Sequence, residues 1–344
     1  AGEAGKGFMN IAVAAAGRLK GGAAKVSVLA SALFGSISGS ASANVASTGM
    51  VTLPAMQKLG YPRRVAGAVE AVASTGGQIM PPLMGAGAFV MVELTGIPYE
   101  KIILAALLPA ILYFWTVWVG VNQYADKYDL KPYTADMLPA RSVVIKTALF
   151  FFVPFSVLLT VMFSGYTPQF AAAIAILSAA FLLLIGLDFR FDLRRASKRF
   201  VDASLFSGQQ VAMIASIILC ASLIVGVLGI TGLGIKITSS ILSISGGSLW
   251  LALLLTALAC IILGMEVPTT AAYVICVSVA GPALIDMGVA PLIVHLFIFW
   301  YALLSTITPP VCGGVFIAAS MVEENWLPVA GSAMSLGLGL YVIP

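Results

Sequence analysis

The stretch Ala73-Ser-Thr-Gly-Gly-Gln-Ile-Met-Pro-Pro82 lies inside a long apolar segment at residues 62–95 and interrupts it. Consecutive prolines remove two N–H donors and disfavour helical backbone just before them. The sequence therefore predicts a helix that stops and restarts in the middle of a membrane-length segment. A second break of the same kind is predicted at Ser305–Pro310, within the apolar segment 289–322.

The whole chain has the composition of an integral membrane protein. Of its 344 residues 60% are hydrophobic and 9% are charged, with a mean hydropathy of +1.05. Soluble domains carry roughly a quarter charged residues, so this chain cannot cover a soluble surface. Four cysteines are too few for a disulfide scaffold, and one histidine excludes a His-rich metal site. The net charge of +4 is spread along the chain, which argues against a nucleic-acid-binding protein.

Apolar segments of about 20 residues predict an all-α polytopic membrane protein. The candidate spans are 62–95, 99–122, 142–163, 167–187, 205–230, 289–322 and 326–344. Two further apolar segments, 24–57 and 249–285, are broken near their middles by Gly, Ser, Thr and Pro. Shorter apolar runs near 6–18 and 232–247 predict connecting helices.

Basic residues predict how these segments are oriented. The loop predicted at 188–202 carries five Arg and Lys residues, which places it in the cytoplasm. Counting spans outward puts three other basic stretches on the same side: 18–25, 58–64 and 123–141. Only Lys101 and Lys236 fall clearly outside. By this count 24–57 begins and ends inside, whereas 249–285 begins and ends outside, so both are predicted to be re-entrant hairpins that enter from opposite faces.

An offset of 228 residues relates the two halves of the chain. Pro81-Pro82 falls on Pro309-Pro310, Gly60 falls on Gly288, and the hairpin tip 39–43 falls on 267–271. Because the predicted copies have opposite orientations, the sequence indicates an inverted-topology repeat. Such repeats are typical of secondary transporters, which bind their cargo near the membrane midplane between the copies.

The predicted tips, 36–44 and 264–270, and the two breaks concentrate polar groups at membrane depth, where non-helical backbone must line a cavity or be buried in protein. Their neutral oxygen donors suit a small cation such as sodium. The candidate cation-binding residues are Ser40, Asn44, Ser74, Thr75, Gly76, Gln78, Thr269, Thr270, Ser305, Thr306 and Thr308. Helices that begin at the tips and breaks direct the positive N-terminal ends of their dipoles toward the same region, which favours an anionic substrate. The alternative for any single Ser or Thr is close helix packing.

Three ionisable residues in apolar segments are candidates for tuning this region, since such residues are costly in a bilayer. Glu70 lies mid-helix, Glu266 lies at the second tip, and His295 lies in the second long segment. The alternatives are a hydrogen-bonded carboxyl for Glu70, a gate or solvent-facing role for Glu266, and a satisfied polar contact for His295. No Ser/His/Asp set or phosphate-binding loop is apparent, so an enzyme is not expected.

The tips and breaks resemble the large membrane subunit of tripartite ATP-independent periplasmic (TRAP) transporters, especially the form with fused 4TM and 12TM parts. The resembling residues are Phe34–Ser40, Ala73–Pro82, Gly96-Ile-Pro-Tyr99, Pro268-Thr-Thr-Ala-Ala-Tyr273 and Thr308-Pro-Pro310. Nearly the whole chain is covered, and the string STGGQIMPP is its most specific part.

The resemblance implies an elevator-type transporter of the ion transporter superfamily, driven by sodium and fed with an organic acid by a periplasmic solute-binding protein. A first sodium site would involve Ser40, Asn44 and 74–78, and a second Thr269, Thr270 and 305–308. Substrate would lie between the tips, at Ser38, Ser40, Ser42, Gly77, Pro268 and Thr269. No cofactor beyond sodium as coupling ion is implied, and the location would be the bacterial inner membrane.

The family layout also implies a division of the chain. Residues 1–98 would hold the transport elements of the first repeat, 99–230 scaffold spans, 231–325 the second repeat's transport elements, and 326–344 a final, truncated span. We expect a fragment of a longer chain, with three scaffold spans before residue 1 and the helices of the small subunit fused further upstream.

Two departures from the family pattern stand out. The family usually has an acidic residue where this chain has Thr306, and a small or apolar residue where it has Glu266. We hypothesise that Glu266 replaces the missing carboxylate near the second cation site.

Other functions remain open at this point. A sodium:anion symporter of similar build that needs no binding protein is the main alternative. A membrane-embedded hydrolase would need a titrating nucleophile, and a pure scaffold subunit would not respond to sodium.

Overall fold

The computed structural model of the protein describes residues 4–185, 193–265 and 267–344. These ranges form fifteen α-helices: α1 Ala4–Ala16, α2 Gly22–Ser38, α3 Ala41–Lys58, α4 Arg63–Gly76, α5 Gly85–Thr95, α6 Tyr99–Lys127, α7 Arg141–Phe163, α8 Pro168–Leu183, α9 Leu193–Thr231, α10 Leu233–Ser245, α11 Leu249–Leu263, α12 Thr269–Asp286, α13 Pro291–Leu304, α14 Gly313–Met321 and α15 Trp326–Leu336. Short 3-10 turns follow α4 at Gly77–Ile79 and α13 at Ser305–Ile307. The all-α prediction is confirmed, and within these ranges four helices are long and apolar enough to cross a membrane.

The internal repeat predicted from the sequence is confirmed at the level of helix boundaries. A shift of 228 residues places α3 on α12, α4 on α13 and the first 3-10 turn on the second, with the same first and last residues. Both Pro-Pro pairs have cis peptide bonds, and Gly60 and Gly288 both have positive φ, 82° and 90°. The two halves therefore share one backbone plan of hairpin, turn, helix, break and half-helix.

The first hairpin, α2 and α3, turns within two residues. Gly39 ends α2 at φ 62°, a left-handed conformation that glycine adopts without strain. Ser40 starts α3, and its Oγ accepts a hydrogen bond from the N–H of Ala43 at 3.3 Å. A Cβ on Gly39 would lie 2.4 Å from Cα of Gly85, the first residue of α5. The tip is therefore shorter than the predicted 36–44, and it packs directly on the half-helix that follows the break.

The two broken helices, α4–α5 and α13–α14, run antiparallel. Arg63, at the start of α4, donates to the carbonyl of Glu323, just after α14, at 3.0 Å. Near the other end of α4, the hydroxyls of Thr75 and Thr306 form a hydrogen bond of 2.9 Å. Beyond the first break, Gly87 of α5 lies against the ring of Phe299 in α13. The order of contacts is reversed along the second helix, so the repeats have inverted topology.

This reversal determines where the hairpins enter. The first hairpin ends at Lys58, beside the start of α4. The second hairpin, α11 and α12, ends at Asp286, beside the start of α13. Because α4 and α13 begin at opposite ends of the antiparallel pair, the bases of the hairpins lie at opposite ends of the protein and their tips point toward each other.

Loops predicted on the cytoplasmic side lie together at one end. Lys20 pairs with Asp126, the N–H of Tyr133 bonds to Gly17 O at 2.9 Å, and the hydroxyl of Tyr61 donates to Lys131 O at 3.3 Å. These contacts join 17–21, 61 and 126–133, which agrees with the span count. Which side of a membrane this end faces stays a prediction.

The helices pack into two sets. α6 lies against α2, α4 and α5, so it shares the core of the hairpins and broken helices. α7 and α8 pack on each other, and α7 also packs on the arm α1. α9 contacts α8, α10 and α12. It leaves large apolar side chains exposed, including Leu205, Phe206 and Leu219, as expected of a helix facing lipid.

Two predicted boundaries are wrong. The segment predicted to be a loop at 188–202 is helical from Leu193 onward, and residues 188–192 lie outside the described part. The span predicted at 205–230 is therefore the later part of α9, a helix of 39 residues. The final predicted span, 326–344, is an α-helix only to Leu336 and is followed by a 3-10 turn at Leu338–Tyr341.

Candidate binding site between the two hairpin tips

A cavity of about 290 Å³ lies where the two tips face each other. The first tip lines it with Ser38, Gly39, Ser40, Ala41 and Ser42, and the second tip with Val267, Pro268, Thr269 and Thr270. The breaks add Gln78, Ala86, Thr306 and Gly313, and α9 adds Gln210, Met213, Ile214 and Ile217. Five of the six predicted substrate-binding residues are thus brought together, and the sixth, Gly77, is not in this lining.

Two polar side chains open into the cavity without a hydrogen-bond partner among the described residues, whereas the fully buried polar atom that lacks a partner there, Thr256 Oγ1, lies outside the lining. Gln78 is 2% exposed and Thr269 is 5% exposed, yet neither side chain hydrogen-bonds to another described residue. Buried polar groups in native proteins normally have a hydrogen-bond partner. A cavity lined by such groups is suited to a polar ligand.

Behind the first tip, Asn44 ties the hairpin to the broken helix. It is fully buried, and its Nδ2 donates to Ser31 O and to Ser74 O, both at 3.1 Å. Its Oδ1 lies 3.4 Å from the hydroxyl of Thr48. The amide thus uses its donors to hold two elements together, and its oxygen faces a cluster of hydroxyls.

The remaining residues of the first predicted cation site have different surroundings. Ser74 and Thr75 are helical, because α4 continues to Gly76. A Cβ on Gly76 would lie 2.2 Å from the ring of Tyr113, and one on Gly77 would lie 2.5 Å from Cα of Gly35. These two glycines allow close packing around the break, which is the alternative noted for small residues in membrane helices.

The second break contacts the second tip through Ser305. Its hydroxyl lies 2.9 Å from Gly264 O and 2.6 Å from Ala302 O. Thr306 bonds to Leu303 O and to Thr75, and it lines the cavity. Thr308 bonds instead to Leu304 O and to the hydroxyl of Tyr341, both at 2.7 Å. Thr308 is thus directed toward the C-terminal segment and not toward the tip.

The three candidate tuning residues have separate environments. Glu70 is fully buried among four hydroxyls. His295 bonds through Nδ1 to the hydroxyl of Tyr273 at 2.6 Å, which is the satisfied polar contact given above as the alternative. Glu266 lies outside the described residues.

Sequence reasoning missed two groups of residues. The first is the cluster around Glu70, formed by Ser27, Thr48, Thr52 and Ser74, of which only Ser74 was predicted. Thr48 and Thr52 on α3, like Glu70 and Ser74 on α4, are four residues apart, which puts each pair on one face of its helix. This spacing was a usable signal. The second is Gln210, which the tertiary structure brings to the cavity from a distant helix.

The donor set near the tips consists of oxygen atoms. Among the described residues no group of three His, Cys, Asp or Glu side chains lies together, so the region does not fit a transition metal. Hydroxyls, amide oxygens and backbone carbonyls fit a hard monovalent cation, as the sequence predicts.

Comparison with known proteins agrees with this architecture. The family model described as the tripartite ATP-independent periplasmic transporter, DctM component, matches residues 1–344. The C4-dicarboxylate TRAP transporter large permease protein DctM of Pseudomonas aeruginosa is 26% identical over 316 residues, which cover 91% of this chain and 72% of that protein. The isethionate TRAP transporter permease protein DctMQ of Oleidesulfovibrio alaskensis is 25% identical over 92% of this chain, which spans 49% of that protein.

A third relative is the C4-dicarboxylate TRAP transporter large permease protein DctM of Vibrio cholerae. It is 25% identical over an alignment of 350 positions, which covers 96% of this chain and 76% of that protein. The match of the family model over the whole chain, the inverted repeat and the cavity between facing tips lead to one assignment. The chain belongs to the DctM family of tripartite ATP-independent periplasmic transporters and is a membrane transport permease, not an enzyme.

Proposed function

We propose that this permease is sodium-driven, takes a small organic acid from a periplasmic solute-binding protein and carries it inward by an elevator movement in the bacterial inner membrane. The observation that carries the proposal is the cavity between the two tips, into which the polar side chains of Gln78 and Thr269 open without a hydrogen-bond partner among the described residues. A polar ligand that fills the cavity during the transport cycle would supply the missing hydrogen bonds.

The cavity supports a small anion as cargo. A volume of 290 Å³ has room for about ten non-hydrogen atoms. Helices α3 and α12 both begin at the cavity, so the positive ends of their dipoles face it. Among the described residues that line the cavity there is no Lys or Arg, so hydroxyls and amides are the donors there. C4-dicarboxylate and isethionate, after which the relatives are named, are also small organic anions.

Sodium would bind on either side of the substrate, held by the oxygen atoms of the tips and breaks. The first cation site comprises Ser40, Asn44 and the segment 74–78. The second comprises Thr269, Thr270 and Ser305–Thr306, with Thr308 further away than the family pattern implies. A cation here supplies positive charge next to the substrate anion, where the described part of the lining offers no basic side chain, and this links the binding of the two.

An elevator movement is supported by the way the helices pack. The hairpins, the broken helices and α6 share one core, to which α7 adds Leu158 and Met162 and α8 adds Ala171, whereas α9 packs on α12 and lines the tip cavity. We propose that this body moves relative to α7, α8 and α9, carrying the cavity along. Ile214→Cys in α9 and Thr270→Cys in the second tip would then cross-link in one state and stop uptake, in a protein lacking its four native cysteines.

Receptor dependence is tested in proteoliposomes. The permease, reconstituted with its small subunit, is expected to take up a labelled small carboxylate only when the solute-binding protein and an inward sodium gradient are both present. Equal uptake without the binding protein would favour the receptor-independent symporter. Uptake driven equally well by a potassium gradient would reject sodium coupling.

Sodium binding is tested separately, by the melting temperature of the purified protein in detergent. Sodium chloride is compared with choline chloride at equal ionic strength. Ligand saturation at 100 times the dissociation constant stabilises the folded state by about 2.7 kcal/mol. Thr269→Val is expected to weaken the response, whereas Thr167→Val, on an exposed helix start, is the matched control.

A further inference from the structure

Glu70 has an environment that is unusual for an isolated acidic residue. It is fully buried in the middle of α4. Four hydroxyls from three helices surround its carboxylate: Ser27 Oγ at 2.8 Å, Thr52 Oγ1 at 2.5 Å, Ser74 Oγ at 3.2 Å, and Thr48 Oγ1. Each carboxylate oxygen therefore faces two hydroxyl groups, an arrangement that stabilises a negative charge.

Among the described residues no basic side chain contacts Glu70. On the helices packed against α4, the titratable groups lie elsewhere. Lys25 lies over the ring of Trp118, Tyr113 donates to Val72 O, and on α13 His295 bonds to Tyr273 and Tyr301 to Tyr341 O. Lys58 ends α3, and the other titratable groups of α6 lie near its two ends, at 99–101 and 124–127. Helices α14 and α15 have no titratable side chain. A buried charge requires a compensating charge, so an ionised Glu70 needs a cation from outside this set.

The carboxylate is directly connected to the first cation site. Ser74 donates its hydroxyl to Glu70, while its carbonyl accepts from Asn44. Thr48 contacts both Glu70 and Asn44. A single residue, Ser74 or Thr48, would therefore bridge the carboxylate of Glu70 and a cation held by Asn44 and the break.

The cluster is absent from the second repeat, although α3 and α4 have counterparts with the same bounds there, in α12 and α13. At the 228-residue offset each of its residues has an apolar or sulfur-containing counterpart: Ser27 corresponds to Leu255, Ser31 to Ala259, Thr48 to Cys276, Thr52 to Ala280, Glu70 to Ile298 and Ser74 to Ala302. The fold forms without the cluster in that half. Its presence in the first half therefore has a cause other than the formation of hairpin and break.

We propose that Glu70 is the fixed negative charge that balances the cation at the first site, acting through Ser74 and Thr48 without touching substrate. It is a positioning residue, and it makes the two cation sites unequal. This inference rests on the proposed sodium coupling. It adds that the first site binds sodium more tightly than its own neutral ligands would allow.

The test is a sodium titration of melting temperature, with choline chloride keeping ionic strength constant. Glu70→Gln keeps the size of the side chain but removes its charge and replaces one acceptor oxygen by an NH2 donor. We expect a sodium midpoint about tenfold higher or more, the size of effect that one charge exerts within a few residues in a protein interior. Glu70→Asp, which keeps the charge, is expected to restore most of the affinity. Glu93→Gln, an exposed carboxylate on α5, is the matched control.

The outcomes separate the two hypotheses. No sodium response in the unmodified protein would reject the proposed sodium coupling. If the melting temperature of Glu70→Gln responds to sodium with the same midpoint as the unmodified protein, the proposed role of Glu70 is rejected. This holds both for a carboxyl that is neutral in the unmodified protein and for one whose role is only structural. A structural role alone would lower the melting temperature without sodium and leave the midpoint in place. If Glu70→Gln does not fold, the double variant Ser27→Ala/Thr52→Val removes both donors to one carboxylate oxygen, and an unchanged midpoint there also overturns the proposal.

Discussion

Replacing Asn44 by alanine removes the donor that two buried backbone carbonyls share. The amide nitrogen is 3.1 Å from Ser31 O in α2 and 3.1 Å from Ser74 O in α4. Asn44 is 0% exposed, so water cannot take its place without opening the hairpin. Ser31 O lies inside α2 and keeps its helical partner, so the loss is that of two net hydrogen bonds, about 0.5–1.5 kcal/mol each and about 1–3 kcal/mol together.

The assay is thermal unfolding in detergent followed by tryptophan fluorescence, without sodium, so that stability is separated from cation binding. At about 2 °C per kcal/mol for a chain of this size, the expected decrease is about 2–6 °C. Asn44→Asp should be at least as destabilising, because it directs an oxygen at two carbonyl oxygens. Asn122→Ala, on the exposed side of α6, is the control and should stay within about 0.5 kcal/mol.

Two results would refute this reasoning. If Asn44→Ala melts within one degree of the unmodified protein, the amide does not hold the hairpin to the broken helix. If Asn44→Asp is as stable as the original, the amide nitrogen does not face the two carbonyls. Either result would also remove the structural link between the first tip and the first break.

Three further predictions follow from close contacts. Gly87→Ala would place a methyl group 2.4 Å from the ring of Phe299 and should destabilise by about 1–3 kcal/mol in thermal unfolding, whereas Gly226→Ala, with open space around it, should not. Gln210→Ala should raise the KM for uptake because the cavity loses an amide, while Gln209→Ala, its neighbour outside the lining, should leave KM unchanged. The hydrogen bond and charge of Asp126 raise the pKa of Lys20 above 10.5, so the small stabilisation by this exposed pair should be complete below pH 10.5 and disappear as the pH rises through the raised pKa. Melting curves of the unmodified protein and Lys20→Gln, recorded against pH, test this. A difference in melting temperature between the two proteins that grows at high pH would contradict it.

Sequence patterns predicted the backbone plan because the features that determine it are local. Paired prolines end α4 and α13 wherever those helices pack, and glycine with serine ends one helix and starts the next at the first tip. The equivalence of α3 with α12 and of α4 with α13 could therefore be predicted from a single offset. The boundary at Leu193 could not, because a basic stretch is equally compatible with a loop and with the first turns of a long helix.

The candidate site was only partly predictable, because its members come from several elements. The tip residues Ser40 and Thr269 could be found from their position next to helix breaks. Gln210 could not, since its place in the cavity depends on where α9 packs against the tips. Thr308 was expected near the second tip, but its hydroxyl meets Tyr341, a contact between residues 33 apart in the chain. Contacts of this kind are set by tertiary packing and leave no local signal.

The two repeats share their backbone but not their chemistry, and this difference has a consequence for the order of binding. If Glu70 supplies a charge to the first cation site and Ile298 supplies none at the equivalent place, the first site gains an electrostatic attraction that the second lacks. Sodium would then fill the first site at lower concentration. The second site, with Thr306 at its break, would be completed only when the substrate anion adds its own negative charge between the tips. Sodium and substrate would thus strengthen each other's binding mainly through the second site, as reciprocal linkage between two ligands requires.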